Sequence, residues 1–245
     1  MRALADCPHV LRLQAAGFAG PQGAEEDAYL LLDLCNASLA SFLQARSFQL
    51  DTATVLAVFT PVAKAIEAMH CLDPPLAHRD CKAENVLLHS SGAWVLCDFG
   101  SATSRQKVYE TPREIAWEEE AVRRQTTPAY RAPEMWDLYS REVVGVQVDV
   151  WALGVLLYFL CFGKLPFDGE AKLSILNGRF SMPEGQQRPE ALRSLIRAML
   201  VVSPAERATI AEVGAGFSVD FKLQMCSANH SAHESRIAGG APSRR

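Results

Sequence analysis

The 245-residue chain has no excess of basic charge, with 24 Lys and Arg against 28 Asp and Glu. A net charge of −4 offers no electrostatic footprint for nucleic acid, so no nucleic-acid partner is expected. Long apolar runs are also lacking. The most apolar stretch, Val150 to Phe162, is shorter than the roughly 20 residues a membrane-spanning helix needs, so it reads as a buried core helix and no transmembrane segment is expected. Asp6, His9 and Arg12 interrupt the N-terminal residues, so no secretory leader is expected there. None of the seven cysteines forms a Cys-x-x-Cys pair, and the number is odd. That pattern suits reduced thiols and a cytoplasmic location, and His70-Cys71 without a second spaced pair argues against zinc. There is no internal repeat. Gly17, Gly20 and Gly23 have the wrong spacing for a phosphate-covering loop, and Pro21 lies among them. What remains is a soluble composition, 49% hydrophobic with a mean hydropathy of +0.02, able to bury a substantial core.

Against those absences stand three motifs in order: His78-Arg79-Asp80-Cys81-Lys82-Ala83-Glu84-Asn85, then Asp98-Phe99-Gly100, then Ala132-Pro133-Glu134. A lone Asp-Phe-Gly is usually only a turn after a strand, and a lone His-Arg-Asp is no more specific. Context supplies the specificity. Val86-Leu87-Leu88 and Trp94-Val95-Leu96-Cys97 read as two strands joined at Ser90-Ser91-Gly92, a hairpin that delivers Asn85 and Asp98 to one edge. Together the motifs resemble the catalytic-loop, metal-binding and activation-segment signatures of the protein kinases.

The resemblance implies a role for each residue. Phosphoryl transfer depends mostly on alignment and on neutralising spread negative charge. Asp80 would accept the proton of the substrate hydroxyl, Lys82 would place a cation on the transferring group, and Thr127 would bond both. Asn85 and Asp98 would supply oxygens to Mg²⁺, a hard cation that takes one or two protein carboxylates and fills its shell with water and phosphate. A lysine at position 82 resembles serine/threonine rather than tyrosine kinases. The expected activity is therefore transfer of the ATP γ-phosphate to serine or threonine of a protein substrate, with ATP and Mg²⁺ as cofactors. Leu87-Leu88-His89, Asp98-Phe99-Gly100-Ser101-Ala102-Thr103, Thr126-Thr127, Leu138-Tyr139-Ser140 and Trp151-Ala152-Leu153-Gly154 further resemble the Numb-associated kinase family, which includes the adaptor-associated and cyclin-G-associated kinases. That likeness implies clathrin-adaptor-type proteins as a class of partner. Cys81 departs from the usual leucine and Ala83 from the usual proline or valine; Cys81 reads as a small buried apolar residue.

Elsewhere the pattern supports the same α+β, kinase-like fold, with a mainly helical large lobe and a remnant of a small-lobe β-sheet. Asp149 opens the apolar helix; the resemblance implies that it accepts backbone N–H groups of the catalytic loop, with a simple helix N-cap as the compatible alternative. Pro204-Ala205-Glu206-Arg207 resembles the kinase segment whose arginine pairs with the glutamate of Ala-Pro-Glu, which implies a buried structural pair of Glu134 and Arg207. Ser101, Thr103, Ser104, Tyr109 and Thr111 are candidate phosphorylation sites, and Arg79 could pair with a phosphate placed nearby. Trp117-Glu118-Glu119-Glu120 with Arg123 and Arg124 reads as a solvated helical face.

The first part of the chain reads as two strands, His9–Leu13 and Ala28–Leu32, flanking a polar loop from Gly17 to Asp27. By resemblance Leu32 would be the gatekeeper, the Asp33 carbonyl and the Cys35 N–H would hold the adenine edge, and Leu87 would be a further nucleotide-binding residue. A helix is expected from Ala37 to Gln44. Val62-Ala63-Lys64-Ala65-Ile66 mimics the strand lysine of kinases but lies in the helical pattern Thr52 to His70, which makes Lys64 a surface residue. The organisation expected is residues 1–35 as small-lobe remnant and hinge, 36–218 as large lobe and 219–245 as a disordered tail rich in Ser, Ala, Gly and Arg. Without a glycine-rich hairpin and strand lysine, catalytic competence is in question. The retained Asp80, Lys82, Asn85 and Asp98 favour a working enzyme whose sequence continues upstream. The alternative is a non-catalytic, pseudokinase-like interaction module.

Overall fold

The computed structural model describes residues 2–20, 27–167, 172–184 and 188–218, so the tail expected at 219–245 lies outside the described residues. Strands β1 (Leu13–Ala19) and β2 (Asp27–Leu32) form an antiparallel two-stranded sheet, while β3 (Cys35–Ser38), β4 (Val86–His89) and β5 (Trp94–Leu96) form a second sheet in the order β3-β4-β5. The described helices are α1 (Leu39–Ala45), α2 (Thr52–His70), α3 (Pro112–Gln125), α4 (Pro133–Trp136), α5 (Gln147–Phe162), α6 (Lys172–Leu176), α7 (Glu190–Met199) and α8 (Ile210–Ser218).

Helix α5 is apolar on all sides because it is enclosed on all sides: Val150, Trp151, Leu153, Val155, Leu156, Leu157 and Leu160 have no more than 0% exposure each. Gly154 lets α7 approach closely, since a Cβ there would stand 2.9 Å from side-chain atoms of Met199 and Leu200. The helix stops at Gly163, whose φ of 68° favours glycine and whose missing Cβ would meet the Phe48 carbonyl at 2.6 Å. Helix α2 packs against α5, α8 and β5. Among the described residues it is the helix long and apolar enough to cross a membrane. Its Val55, Val58, Phe59, Val62, Ile66 and Met69 are buried within the protein core, and Lys64 is exposed as expected, so α2 is a core helix with one solvated edge.

Three local expectations are corrected. The first strand is not His9–Leu13: residues His9–Leu11 instead run along the outer edge of β5, where Leu11 N donates to Leu96 O (2.8 Å) and Leu96 N donates to His9 O (2.8 Å). The strand begins at Leu13 and continues through Gly17-Phe18-Ala19, part of the expected loop, because Gly17 and Phe18 pair with Tyr29 and Ala28 across the hairpin. The hinge segment does not pass directly into a helix either. Cys35–Ser38 pairs with β4, and the helix starts only at Leu39, where the Ser38 hydroxyl accepts the Ser41 N–H. Lastly, Asp149 is not an N-cap. Helix α5 starts at Gln147 after Val146, so Asp149 lies inside the first turn and its carboxylate is directed at another segment.

The two sheets differ in burial. The hairpin β1–β2 exposes nearly every side chain, including Phe18, Tyr29, Leu30 and Leu31, whereas Trp94, Val95 and Leu96 of β5 are buried. A two-stranded hairpin with both faces uncovered is marginal by itself.

Candidate active site

The loop His78–Asn85 lies between α2 and β4 and is held from below by α5. Asp149, 0% exposed, accepts N–H groups from His78 (2.7 Å) and Arg79 (2.8 Å), and its Oδ2 is 2.9 Å from His70 Nε2. These contacts fix Arg79 in a left-handed conformation, φ 69°, that a non-glycine residue adopts only when its surroundings impose it. Asp149→Ala would leave two buried N–H groups without their charged acceptor, so we expect a loss of about 3 kcal/mol in urea unfolding. A loss under about 0.5 kcal/mol would show that the loop finds other partners.

His78 links this loop to the segment carrying Asp98. Its Nδ1 accepts the Asp80 N–H (3.3 Å) and its Nε2 meets the Cys97 carbonyl (3.0 Å), while the Cys97 N–H donates to Asn85 O (2.9 Å). Phe99 packs edge-on against the His78 ring at 5.2 Å. Asp98, φ 60°, therefore turns outward beside the catalytic loop, exposed, with one oxygen accepting the Gly100 N–H (3.2 Å). The two loops are thus bonded side by side.

At the centre is Asp80, 7% exposed. Its Oδ1 accepts the Thr127 hydroxyl (2.7 Å) and N–H (3.1 Å), and its Oδ2 meets Lys82 Nζ (2.8 Å) and Asn85 Nδ2 (3.1 Å). Lys82 Nζ also donates to the Thr127 hydroxyl at 2.7 Å, closing a triangle of carboxylate, ammonium and hydroxyl. Asn85 donates to both the carbonyl (2.9 Å) and the carboxylate of Asp80, which commits its amide nitrogen and leaves the acceptor oxygen Oδ1 for another contact. Oxygen from Asn85 with the exposed Asp98 carboxylate is the donor set a hard cation such as Mg²⁺ prefers. Cys81, 0% exposed beside Asp80, is a buried apolar residue as expected, and burial pushes its thiol far up. Burial and then Asp98 push the Cys97 thiol up to about 12.

The expected adenine-edge residues lie along the hinge. Leu32 ends β2 with 36% exposure, Asp33 N–H donates to Arg12 O (3.3 Å), Cys35 opens β3, and Leu87 sits on β4 opposite Ser38 and Val95. Among the described residues their contacts run to one another and to β4: the Cys35 thiol lies 4.0 Å from the Asp33 carbonyl and Asp33 Oδ2 3.8 Å from His89 Nε2.

Helix α3 overturns the solvated-face expectation in one position. Glu120 and Arg123 do form an exposed pair, but Glu118 is 0% exposed and bonds the Arg79 guanidinium, with Arg105 Nη1 3.6 Å from its other oxygen. The sequence reading left Glu118 in solvent, and the structure buries it against the catalytic loop. The signal was there: Ile115, Glu118 and Val122 fall at helical spacing on one face, and all three are buried. Of the candidate phosphorylation sites, Tyr109 is 4% exposed and its hydroxyl is pushed up to about 12 by burial and by Glu118. Ser101 donates to Gln125 O, and Thr103 bonds Ala77 through its backbone. Thr111 caps α3 in a reciprocal capping box with Glu114.

The capping box carries a pH dependence. Lys107 and then the Thr111 N–H and hydroxyl lower the Glu114 carboxyl from 4.5 to about 2. Because the folded value is depressed, the contribution of Glu114 is fully present above about 4.5 and lost as pH falls towards 2. Glu114→Gln should therefore flatten the acid limb of α3 amide protection between those values; an unchanged limb would assign it to other carboxylates.

At the other end of the activation segment, the Glu134 carboxylate accepts two bonds from Arg207, at 2.7 and 2.8 Å, with both side chains no more than 1% exposed. The pair anticipated from the sequence is thus bidentate and dry.

This geometry coincides with the family comparison: the protein kinase domain matches residues 1–215. The chain is 35% identical over 193 residues to the actin-regulating kinase PRK1 of Saccharomyces cerevisiae, covering 78% of this chain and 24% of that protein. It is 38% identical over 186 residues to the serine/threonine-protein kinase ppk30 of Schizosaccharomyces pombe (75% and 20%), and 36% over 215 residues to a probable serine/threonine-protein kinase of Dictyostelium discoideum (86% and 27%). The chain thus spans 20 to 27% of the length of these three relatives. A carboxylate bonded to lysine and threonine, an aspartate turned out beside it, and a domain match over nearly the whole described chain place this protein in the protein kinase family.

Proposed function

We propose that the protein is a serine/threonine kinase that moves the γ-phosphate of ATP to a protein hydroxyl. The observation that carries this reading is the triangle of Asp80, Lys82 and Thr127 at the cleft edge. Asp80 orients the acceptor hydroxyl and takes its proton; Lys82, 2.8 Å from that carboxylate, sets a cation where negative charge develops. Thr127 ties the acceptor-binding segment to the base, so a hydroxyl presented there meets Asp80 at a fixed distance. Asn85 and Asp98 would hold Mg²⁺, which neutralises phosphate charge. The Asp33 carbonyl and Cys35 N–H would receive the adenine edge, with Leu32 and Leu87 as its apolar contacts.

The motif likeness to the Numb-associated kinases supports a protein substrate of the clathrin-adaptor type. Two relatives are named actin-regulating kinases, which supports proteins of actin regulation as a further substrate class. The test is transfer of labelled phosphate from ATP to protein substrates offering threonine, serine or tyrosine. Label on threonine or serine, abolished by chelating Mg²⁺, is the expected result; label on tyrosine alone would overturn the assignment.

A second reading is favoured by one specific observation. The glycine-rich hairpin and strand lysine are not in these 245 residues, and the exposed apolar side chains of β1–β2 offer a surface for a partner. In that reading the fold is a non-catalytic interaction module. Losing a preorganised charge contact such as that lysine costs about 2.7–4 kcal/mol, hence about 100- to 1,000-fold in rate. Measured transfer within that range below that of a version carrying both elements supports the enzyme, and no transfer by either supports the module.

A further inference from the structure

Arg131 is a buried cation, 7% exposed, to which the reaction described above gives no task. Among the described residues its polar partners are all neutral oxygens. Nε donates to the Thr126 hydroxyl (2.7 Å), and Nη2 donates to the carbonyls of Thr126 (2.9 Å) and Arg123 (3.4 Å). The guanidinium also packs 4.9 Å over the Trp136 ring, a favourable contact for a cation. A charge buried without a carboxylate beside it is costly, and arginine tolerates the site because its fork of donors meets three oxygens at once. Burial lowers the Arg131 pKa from its ordinary value, and the Asp80 carboxylate works against that lowering.

The connection between Arg131 and Asp80 is one peptide group. The Thr126 carbonyl that accepts from Arg131 and the Thr127 N–H that donates to Asp80 Oδ1 (3.1 Å) belong to the same peptide unit. In a planar trans peptide these two groups point in opposite directions, so guanidinium and carboxylate grip the plane from its two sides. Each charge faces the end of the peptide dipole that it favours, and hydrogen bonds in such a series strengthen one another. Turned over, the plane would aim its carbonyl at the Asp80 carboxylate and its N–H at the guanidinium, which is repulsive at both ends.

We infer that Arg131 is a positioning residue: through the Thr126–Thr127 peptide it holds the Thr127 N–H and hydroxyl on Asp80 Oδ1, and so fixes the carboxylate plane of the base. The inference rests on the kinase reading above and deepens it. Arg131 touches neither nucleotide nor acceptor in this role; it acts by keeping one peptide from turning.

The experiment uses the full chain with Arg131→Ala, measured with and without added ethylguanidinium, and with Arg131→Lys, which keeps the charge but replaces the fork by a single ammonium. Two readouts are taken at equal concentrations of folded protein: phosphoryl transfer, and hydrogen exchange at the Thr127 amide followed by NMR. Arg131→Ala should lose about 100-fold in kcat with little change in KM for ATP, the cost of a small misplacement of the base. Its Thr127 amide should exchange faster while the amides of α5 keep their protection. Ethylguanidinium should restore both readouts, and Arg131→Lys should fall between wild type and Arg131→Ala in both. A wild-type kcat in Arg131→Ala would overturn the inference. So would a loss of kcat with Thr127 exchange unchanged, because the effect would then not pass through the peptide. If Arg131→Ala does not fold, Arg131→Lys decides: kcat and Thr127 exchange that change together uphold the inference, and any other result overturns it. If the wild type transfers no phosphate at all, the kinase reading fails separately and exchange alone decides. Faster exchange at Thr127 in Arg131→Ala, reversed by ethylguanidinium, upholds the clamp on the peptide, and unchanged exchange removes it.

Discussion

Asp80→Asn should reduce phosphoryl transfer by about 100- to 10,000-fold while leaving the fold intact. The substitution keeps the size of the side chain, and the amide oxygen can still accept the Thr127 N–H that now reaches Oδ1 at 3.1 Å. What it removes is the proton acceptor and the negative charge that faces Lys82 Nζ at 2.8 Å. The new amide nitrogen would also meet donors, because Lys82 Nζ and Asn85 Nδ2 both point at Oδ2. Transfer from labelled ATP to a threonine-bearing protein, compared at equal concentrations of folded protein, is the measurement. Equal rates for the two proteins would remove Asp80 from the chemistry.

Breaking the pair between Glu134 and Arg207 should have the largest effect on stability, about 3–5 kcal/mol for Arg207→Ala or Glu134→Ala. Arg207 does more than neutralise Glu134: its guanidinium also donates to the carbonyls of Val201 (2.9 Å), Val202 (3.0 Å) and Gln147 (2.7 Å), and it lies over the Trp151 ring at 5.2 Å. Either truncation leaves an uncompensated buried charge, and loss of the arginine also strips acceptors of their donor. The expected signature is a lowered urea midpoint for each single variant, with the double variant costing less than the sum. Strict additivity would mean that the pair is not coupled and that the guanidinium acts only through the carbonyls.

Much of the site was legible because its chemistry is local in sequence. The residues from His78 to Asn85 lie within one loop, and the β4–β5 hairpin fixes the distance from Asn85 to Asp98. Helix α2 was legible for the same reason, its apolar residues recurring at helical spacing from Thr52 to His70. Misplaced boundaries fell where neighbouring strands decide. His9–Leu11 is as apolar as a strand should be, but Leu96 captures it at a sheet edge, and β1 then extends through glycine and alanine that carry no strand signal of their own.

Residue order alone determined the kinase-like fold and the set of polar groups that phosphoryl transfer requires, because those groups recur at spacings that few other chemistries demand. Tertiary structure decided which charges lose contact with water. Glu118 and Glu120 are two residues apart on one helix, yet one is buried against Arg79 and the other pairs with Arg123 in solvent. For Asp149 the structure decided between two roles: it lies inside the first turn of α5 and holds the catalytic loop, as the kinase likeness implied, and does not cap the helix. Burial depends on what packs across a face from distant parts of the chain, and a charge run read residue by residue carries no record of that neighbour.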